Sequence, residues 1–345
     1  MILYIHQHIC ISPQPTHQSV ETETIIPSKD GKLIALEPSL EGIPPAMQRR
    51  LSKALRMGLG AGLPIITHHQ VDGILLGTAN GGMEDCIKFL NQIIDYEEGL
   101  LTPANFVQST PNSIAGQLSL ITKNRGYNAT HVHLGLAFEN ALLDAQMLLS
   151  EQPGTQYLVG AVDEISTYNY NIDLLAGWYK KDIDSSHLYE NEERATIAGE
   201  GAAMFLINDR EQQAIAEINA VETLHTTDEN LVKEKFADFL ARAKPQEQNI
   251  LLIFGENGDT RLQPFYNVCQ SQTGAIPIAR FKHATGEYPT AASFAVWLAC
   301  RLIQTQTIPE HYMKTGSLAL PIETVLIYNH YQGRQHSFIS VARKK

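Results

Sequence analysis

The segment Gly126-Tyr-Asn-Ala-Thr-His-Val-His-Leu-Gly135 runs a strand pattern into a sharp turn, and a helical pattern over about Leu136–Ser150 follows. That succession has the shape of a nucleophile elbow. The apex side chain of an elbow sits at a helix N-terminus, where the helix dipole and free N–H groups stabilise negative charge. A cysteine held there has a depressed pKa and attacks thioesters. The apex here is Gly135, which offers only a hydrogen atom. Glycine accepts the strained backbone of an apex without a Cβ penalty, so the turn is expected to survive without the thiol. Cys86 and Cys269 lie on helical stretches and read as small buried hydrophobes, not as relocated nucleophiles.

Three other positions bear on chemistry. Glu287 follows Gly286 and stands five residues after Lys282. Burial would raise its pKa and a nearby lysine would oppose the rise, so the pair serves either as a general acid or base or as a structural ion pair. Asn257 donates and accepts hydrogen bonds but does not titrate; equally, Asn257-Gly258 is a turn signal. His131 and His133 are expected on one face of a strand. With no third ligand in view they read as core or interface residues, and no metal is expected.

The elements that must position these residues alternate along the 345-residue chain. Strands are expected at Leu3–Ile9, Gly73–Thr78, Ala129–Leu134, Gln156–Val162, Ala202–Asn208, Asn249–Phe254 and Thr324–Tyr328. Helices are expected at Pro45–Gly58, Met83–Glu97, Asn112–Thr122, Leu136–Ser150, Asn230–Lys244, Leu262–Cys269 and Pro289–Thr305. Strands separated by helices of this length imply α/β layers with largely parallel sheets. The small-residue runs Ser113-Ile-Ala-Gly-Gln and Pro289-Thr-Ala-Ala-Ser-Phe-Ala suit helices buried between two sheets. A polar, tyrosine-rich stretch divides the chain into 1–165, a connecting segment 166–198, and 199–345. A net charge of −11 argues against general nucleic-acid affinity. Four widely spaced cysteines point to a reducing cytoplasm, and no apolar run is long enough to span a membrane.

Several segments, in order, resemble motifs of the β-ketoacyl synthases of the thiolase superfamily. Gly77-Thr-Ala-Asn-Gly-Gly is similar to a G-T-x-x-G-G loop, and Phe106-Val-Gln-Ser-Thr-Pro-Asn-Ser-Ile-Ala-Gly to F-x-P-x-x-P-N-x-x-A-G. Gly126–Gly135 resembles the approach to the nucleophile, and Leu158-Val-Gly-Ala-Val-Asp-Glu the strand ending in G-G-x-E. Gly199-Glu-Gly-Ala-Ala-Met-Phe-Leu resembles G-E-G-A-A-x-x-x-L, and Phe281-Lys-His-Ala-Thr-Gly-Glu-Tyr-Pro-Thr-Ala-Ala resembles K-S-x-x-G-H-x-x-G-A-A. Together they span nearly the whole chain.

The resemblance implies a thiolase-like five-layer αβαβα sandwich of two related halves. It also implies a Cys-His-His constellation, and here the chain departs from that family's pattern. Gly135 stands for the cysteine, Asn257 for one histidine and Glu287 for the other, while the lysine is retained as Lys282. A glycine-rich gate near the C-terminus is replaced by Asn329-His-Tyr-Gln-Gly-Arg. Three substitutions in three motifs imply a degenerate member resembling a chain length factor (ketosynthase β subunit) of type II polyketide or aryl polyene synthases. Such a subunit needs no cofactor. Its implied partners are an active ketosynthase and, through it, an acyl carrier protein, with a homodimer open in isolation. By the same resemblance, the strand with His131 and His133 lies at the dimer edge, and Phe106, Gln108 and Thr110 reach toward the partner's acyl tunnel or simply pack their loop. Two alternatives stay open: an enzyme that uses Glu287 and Lys282 without a covalent intermediate, and an acyl-binding protein derived from a synthase.

Overall fold

The computed structural model describes residues 1–18, 25–190, 192–243, 249–318 and 320–344. Its strands are β1 (Leu3–Ile11), β2 (Lys32–Leu33), β3 (Gly73–Gly77), β4 (Tyr127–His131), β5 (Gln156–Asp163), β6 (Ala198–Gly199) and β7 (Gly201–Asn208). They continue as β8 (Ala216–His225), β9 (Ile250–Phe254), β10 (Ile278–Arg280), β11 (Met313–Thr315), β12 (Thr324–Tyr331) and β13 (Gln335–Arg343). Eleven of them hydrogen-bond in the order β11-β10-β9-β12-β13-β8-β1-β7-β5-β3-β4.

That order contains one pattern twice. β4-β3-β5-β7-β1 and β10-β9-β12-β13-β8 each place three parallel strands beside two antiparallel ones. The two arrays meet where Leu3–Ile5 of β1 pairs with Ala216–Ile218 of β8. The change-over between arrays thus falls after Asn208, and segment 166–198 lies between β5 and β7 of the first array.

Alternation of side chains along each strand builds the layers. Leu75, Val159, Phe205, Leu251, Ile253, Val325 and Ile327 point to one shared core, together with the helices Ala137–Glu151 and Ala292–Thr305. The opposite face of the first array (Ile74, Leu76, Leu158, Met204) packs on the helices Lys53–Ile66 and Ser113–Thr122. The opposite face of the second (Leu252, Phe254, Leu326, Tyr328) packs on Glu229–Ala243 and Gln263–Gln270. The result is the five-layer αβαβα sandwich of two related halves. Strands buried on both faces explain the continuous apolar runs of the sequence.

Five expectations need correction. The sheet is mixed and not largely parallel: β3–β4, β3–β5, β9–β10 and β9–β12 pair parallel, and the other six pairings are antiparallel. The helix Ser113–Thr122 belongs to an outer layer, not the middle one. The small residue its packing needs is on the neighbouring helix Lys53–Ile66, where a Cβ on Gly58 would lie 2.4 Å from Ile114 Cγ2. The helix expected over Pro45–Gly58 is two, Pro45–Gln48 and Lys53–Ile66, with the Ser52 hydroxyl capping the second by accepting from the Leu55 N–H. The helix expected over Asn230–Lys244 is Glu229–Ala243, and Lys244 lies outside the described residues. Finally, the strand Ala129–Leu134 is Tyr127–His131, because Leu134 turns to φ 48° and opens a 3-10 turn.

Candidate functional site

Gly135 sits buried in that 3-10 turn, Leu134–Leu136, immediately before the middle-layer helix Ala137–Glu151. The strained residue of the elbow is Leu134, not Gly135; Gly135 is not among the positions of positive φ. What requires glycine at 135 is a close approach. A Cβ there would lie 2.1 Å from Tyr331 Cβ and 2.9 Å from its Cγ, and 3.3 Å from Gln335 Oε1. The Gly135 N–H donates to Gln335 Oε1 at 2.8 Å, and Gln335 Nε2 donates to the His133 carbonyl at 3.3 Å. Tyr331 and Gln335 end β12 and begin β13, so one hairpin both fills the side-chain space and occupies the amide of this elbow.

Asn257, Lys282 and Glu287 come together from two segments of the second half: the loop after β9, and the short helix Lys282–Thr285 with the turn that follows it. Gly258 and Gly286 flank them at φ 81° and 71°, turning the chain so that the neighbouring side chains point inward. Lys282 Nζ donates to Glu287 Oε1 at 2.6 Å and Asn257 Nδ2 donates to Glu287 Oε2 at 2.8 Å. All three are buried. Burial raises the Glu287 pKa and lowers that of Lys282, while their mutual attraction and hydrogen bond pull both back toward the charged forms.

Glu139 joins this group from the first turn of the helix after the elbow. It is fully buried, and burial raises its pKa to about 7. The Ser337 hydroxyl, its own backbone amide and the Lys282 charge oppose that rise. At pH 7 a substantial fraction of Glu139 is therefore neutral, beside a lysine already paired elsewhere. Glu139 and Gln335 stand in none of the motifs above, and Tyr331 enters them only within the segment that replaces the glycine-rich gate. An acid three residues before Leu142, on the buried face of an otherwise apolar helix, was the available sign for the first. The other two depend on a contact some two hundred residues away in sequence.

His131 and His133 do not share a strand face, because β4 stops at His131. His131 Nε2 lies 2.9 Å from Asp144 Oδ2, which also accepts from the Tyr127 hydroxyl at 3.2 Å. His133 is exposed, and its Nδ1 accepts from Asn140 Nδ2 at 2.9 Å. Phe106 is 61% exposed, its ring centroid 5.4 Å from that of Phe89. Gln108 turns back into its own chain, accepting from the Ser52 N–H at 2.8 Å and donating to the Arg50 carbonyl at 2.7 Å. Thr110 is exposed in the turn before Ser113. β4 forms one edge of the sheet, and Val107, Leu120, Tyr127, Val132 and Leu134 are exposed on it or on the segments beside it.

Cys10, Cys269 and Cys300 are buried, and burial raises each thiol well above its ordinary pKa. Among the described residues no group of three or more His, Cys, Asp or Glu side chains is placed to hold a metal ion, and no helix is long and apolar enough to cross a membrane.

Residues 27–173 match the family model for the beta-ketoacyl synthase N-terminal domain. No curated protein matches the sequence. The fold is shared with solved ketosynthase structures. A chain of the ketosynthase ApeO in complex with its chain length factor ApeC, from Xenorhabdus doucetiae, is similar with a TM-score of 0.75 at 14% identity, over 99% of this chain and 98% of that one. The ishigamide ketosynthase/chain length factor gives a TM-score of 0.77 at 11% identity, over 100% and 99%. AntDE:AntF, a type II acyl-carrier protein in complex with its ketosynthase bound to the hexaketide, gives 0.71 at 14% identity, over 99% of both chains. At such identities the likeness is one of fold.

Proposed function

We propose that this chain, a ketosynthase-like protein matching the beta-ketoacyl synthase N-terminal domain over residues 27–173, is the non-catalytic subunit of a ketosynthase pair. In this reading it is a chain length factor of a type II polyketide or aryl polyene pathway. The observation that carries the reading is Gly135. Nothing at that position attacks a thioester, and Tyr331 stands where a side chain would have to go. Asn257 and Glu287 extend the argument: they hydrogen-bond to each other and Glu287 pairs with Lys282, so the polar groups of the site satisfy one another.

The acyl group then resides on the cysteine of an active ketosynthase, which also receives the acyl carrier protein. This subunit contributes an interface and part of the wall that limits chain length. The β4 edge is the surface for the partner, since an unpaired edge flanked by exposed apolar side chains favours being covered. Phe106 and Thr110 are exposed near it, whereas Gln108 anchors its own loop and is set aside as a tunnel residue. The related structures of a ketosynthase with its chain length factor support the assignment of partner. The pair operates in the cytoplasm and needs no cofactor.

Co-expression with the ketosynthase encoded nearest to it, followed by size-exclusion with mass measurement, tests the proposal. A one-to-one complex supports it. A stable homodimer that refuses the synthase overturns it.

A second reading has one observation in its favour, the partly neutral Glu139 beside Lys282. A neutral carboxyl can protonate the enolate left when a malonyl thioester loses carbon dioxide. Carbon dioxide release from a malonyl carrier by the isolated chain would favour this enzyme, and its absence would retire it.

A further inference from the structure

The tyrosine-rich segment 166–198 and Tyr331 remain without a role in the account so far, and they meet at the same place. The Tyr179 hydroxyl donates to the Glu287 carbonyl at 3.3 Å, and its ring stacks on Tyr170 with centroids 5.8 Å apart. Lys32 lies 3.7 Å above the other ring of that stack. Tyr189 covers the next turn, its hydroxyl 3.2 Å from His283 Nδ1 and its ring beneath the Arg280 guanidinium at 3.6 Å. Tyr331 completes the group from β12. Its Cβ abuts Gly135, its hydroxyl accepts from Gln332 Nε2 at 3.4 Å, and the charges of Asp173, Glu287 and Asp163 act on its phenol. Only 9% of the residue reaches solvent.

We infer that Tyr331 is a built-in plug that excludes any acyl group from this chain's own elbow. A side chain on residue 135 and the Cβ–Cγ base of Tyr331 compete for one volume, and close-packed interiors do not hold both. The exclusion is a specificity device: it confines a growing chain to the partner's site, even where the two subunits share a wall. Only that consequence rests on the chain length factor reading; the plug itself is a property of the isolated chain. The ligand class it keeps out is defined by what it replaces, a flat or extended apolar group about the size of a phenol ring.

The test uses the isolated full-length chain. In Gly135→Cys the new thiol collides with Tyr331, so the melting temperature falls and native-state alkylation by iodoacetamide is slow. Gly135→Cys with Tyr331→Gly, which removes the colliding Cβ together with the ring, melts no lower than Tyr331→Gly alone, and alkylation accelerates by about tenfold or more, since a thiol no longer needs local opening to react. Tyr331→Gly alone, with residue 135 unchanged, gives a second reading: 4-methylphenol raises its melting temperature and leaves that of the wild type unmoved. Equal alkylation rates in the single and double cysteine variants would overturn the inference. So would an equal response of wild type and Tyr331→Gly to 4-methylphenol. Either failure leaves the partner reading standing, because no partner enters the experiment.

Discussion

Breaking the Lys282–Glu287 pair from one side should cost far more than removing both partners. The two heads are 2.6 Å apart, Lys282 is fully buried, and the side chain of Glu287 is 7% exposed. Lys282→Met strands a carboxylate with Asn257 as its remaining side-chain donor, and leaving one charge of a buried pair uncompensated costs about 3–5 kcal/mol. Glu287→Leu is expected to be milder. Glu139, the other acid acting on Lys282, can lose its proton and serve as the new counter-charge. Lys282→Met with Glu287→Leu removes both charges and leaves only the Asn257 amide short of an acceptor, a loss of about 1–3 kcal/mol. The double variant should therefore unfold later in guanidinium than Lys282→Met, with a coupling energy of at least ~2 kcal/mol in the cycle. Two results would refute the reasoning. Single variants within about 1 kcal/mol of wild type would mean that water reaches the pair. A double variant as destabilised as the sum of the singles would mean that packing, and not charge, sets the cost.

Three further outcomes follow from the same geometry. Glu139 holds its proton to about pH 7 when folded against an ordinary value of 4.5. Its contribution is thus fully present below pH 4.5 and lost as pH rises through 7, on the order of 3 kcal/mol. Glu139→Gln should gain stability relative to wild type across that window, and a variant with an unchanged pH slope would contradict the assignment. Leu134→Asp together with Phe106→Asp places charge on the exposed apolar strip beside β4. It should abolish co-elution with the synthase while the circular dichroism spectrum and melting temperature stay near wild type; retained co-elution would move the interface elsewhere. Glu287→Gln, assembled with the partner, should keep elongation near the wild-type rate, and loss of turnover in an intact complex would give Glu287 a chemical role.

The layered fold was legible because its strands are buried on both faces and so read as apolar runs: Ile250–Phe254 and Gly201–Asn208 are buried throughout. Of the strands that escaped, the two long ones did so for the opposite reason. β8 carries Glu217, Asn219, Glu222 and Thr223 at half-buried or exposed positions, and β13 buries Gln335, His336 and Ser337, which satisfy themselves through Gly135, Tyr328 and Thr226 or face Glu139. Polar residues with buried partners look like loop in a sequence, because the partner is invisible there. The same limit applies to the site. Asn257, Lys282 and Glu287 could be singled out by motif, each beside a glycine or within a few residues of one. The role of Gly135 could not be read, since local sequence suggested backbone strain while the deciding contact comes from Tyr331. His131 and His133 misled because a positive φ at Leu134, a residue that rarely adopts one, ended the strand early.

The central claim is that this chain supports elongation without carrying the acyl group. The direct measurement is an elongation assay on four samples with acyl carrier protein and malonyl donor: each subunit alone, the pair, and the pair with the partner's nucleophilic cysteine replaced by alanine. Intact-mass analysis of both chains accompanies each sample. The account predicts product from the pair only, an acyl adduct on the partner only, and no product once that cysteine is gone. Product from this chain alone, or an acyl adduct on it, would contradict the account.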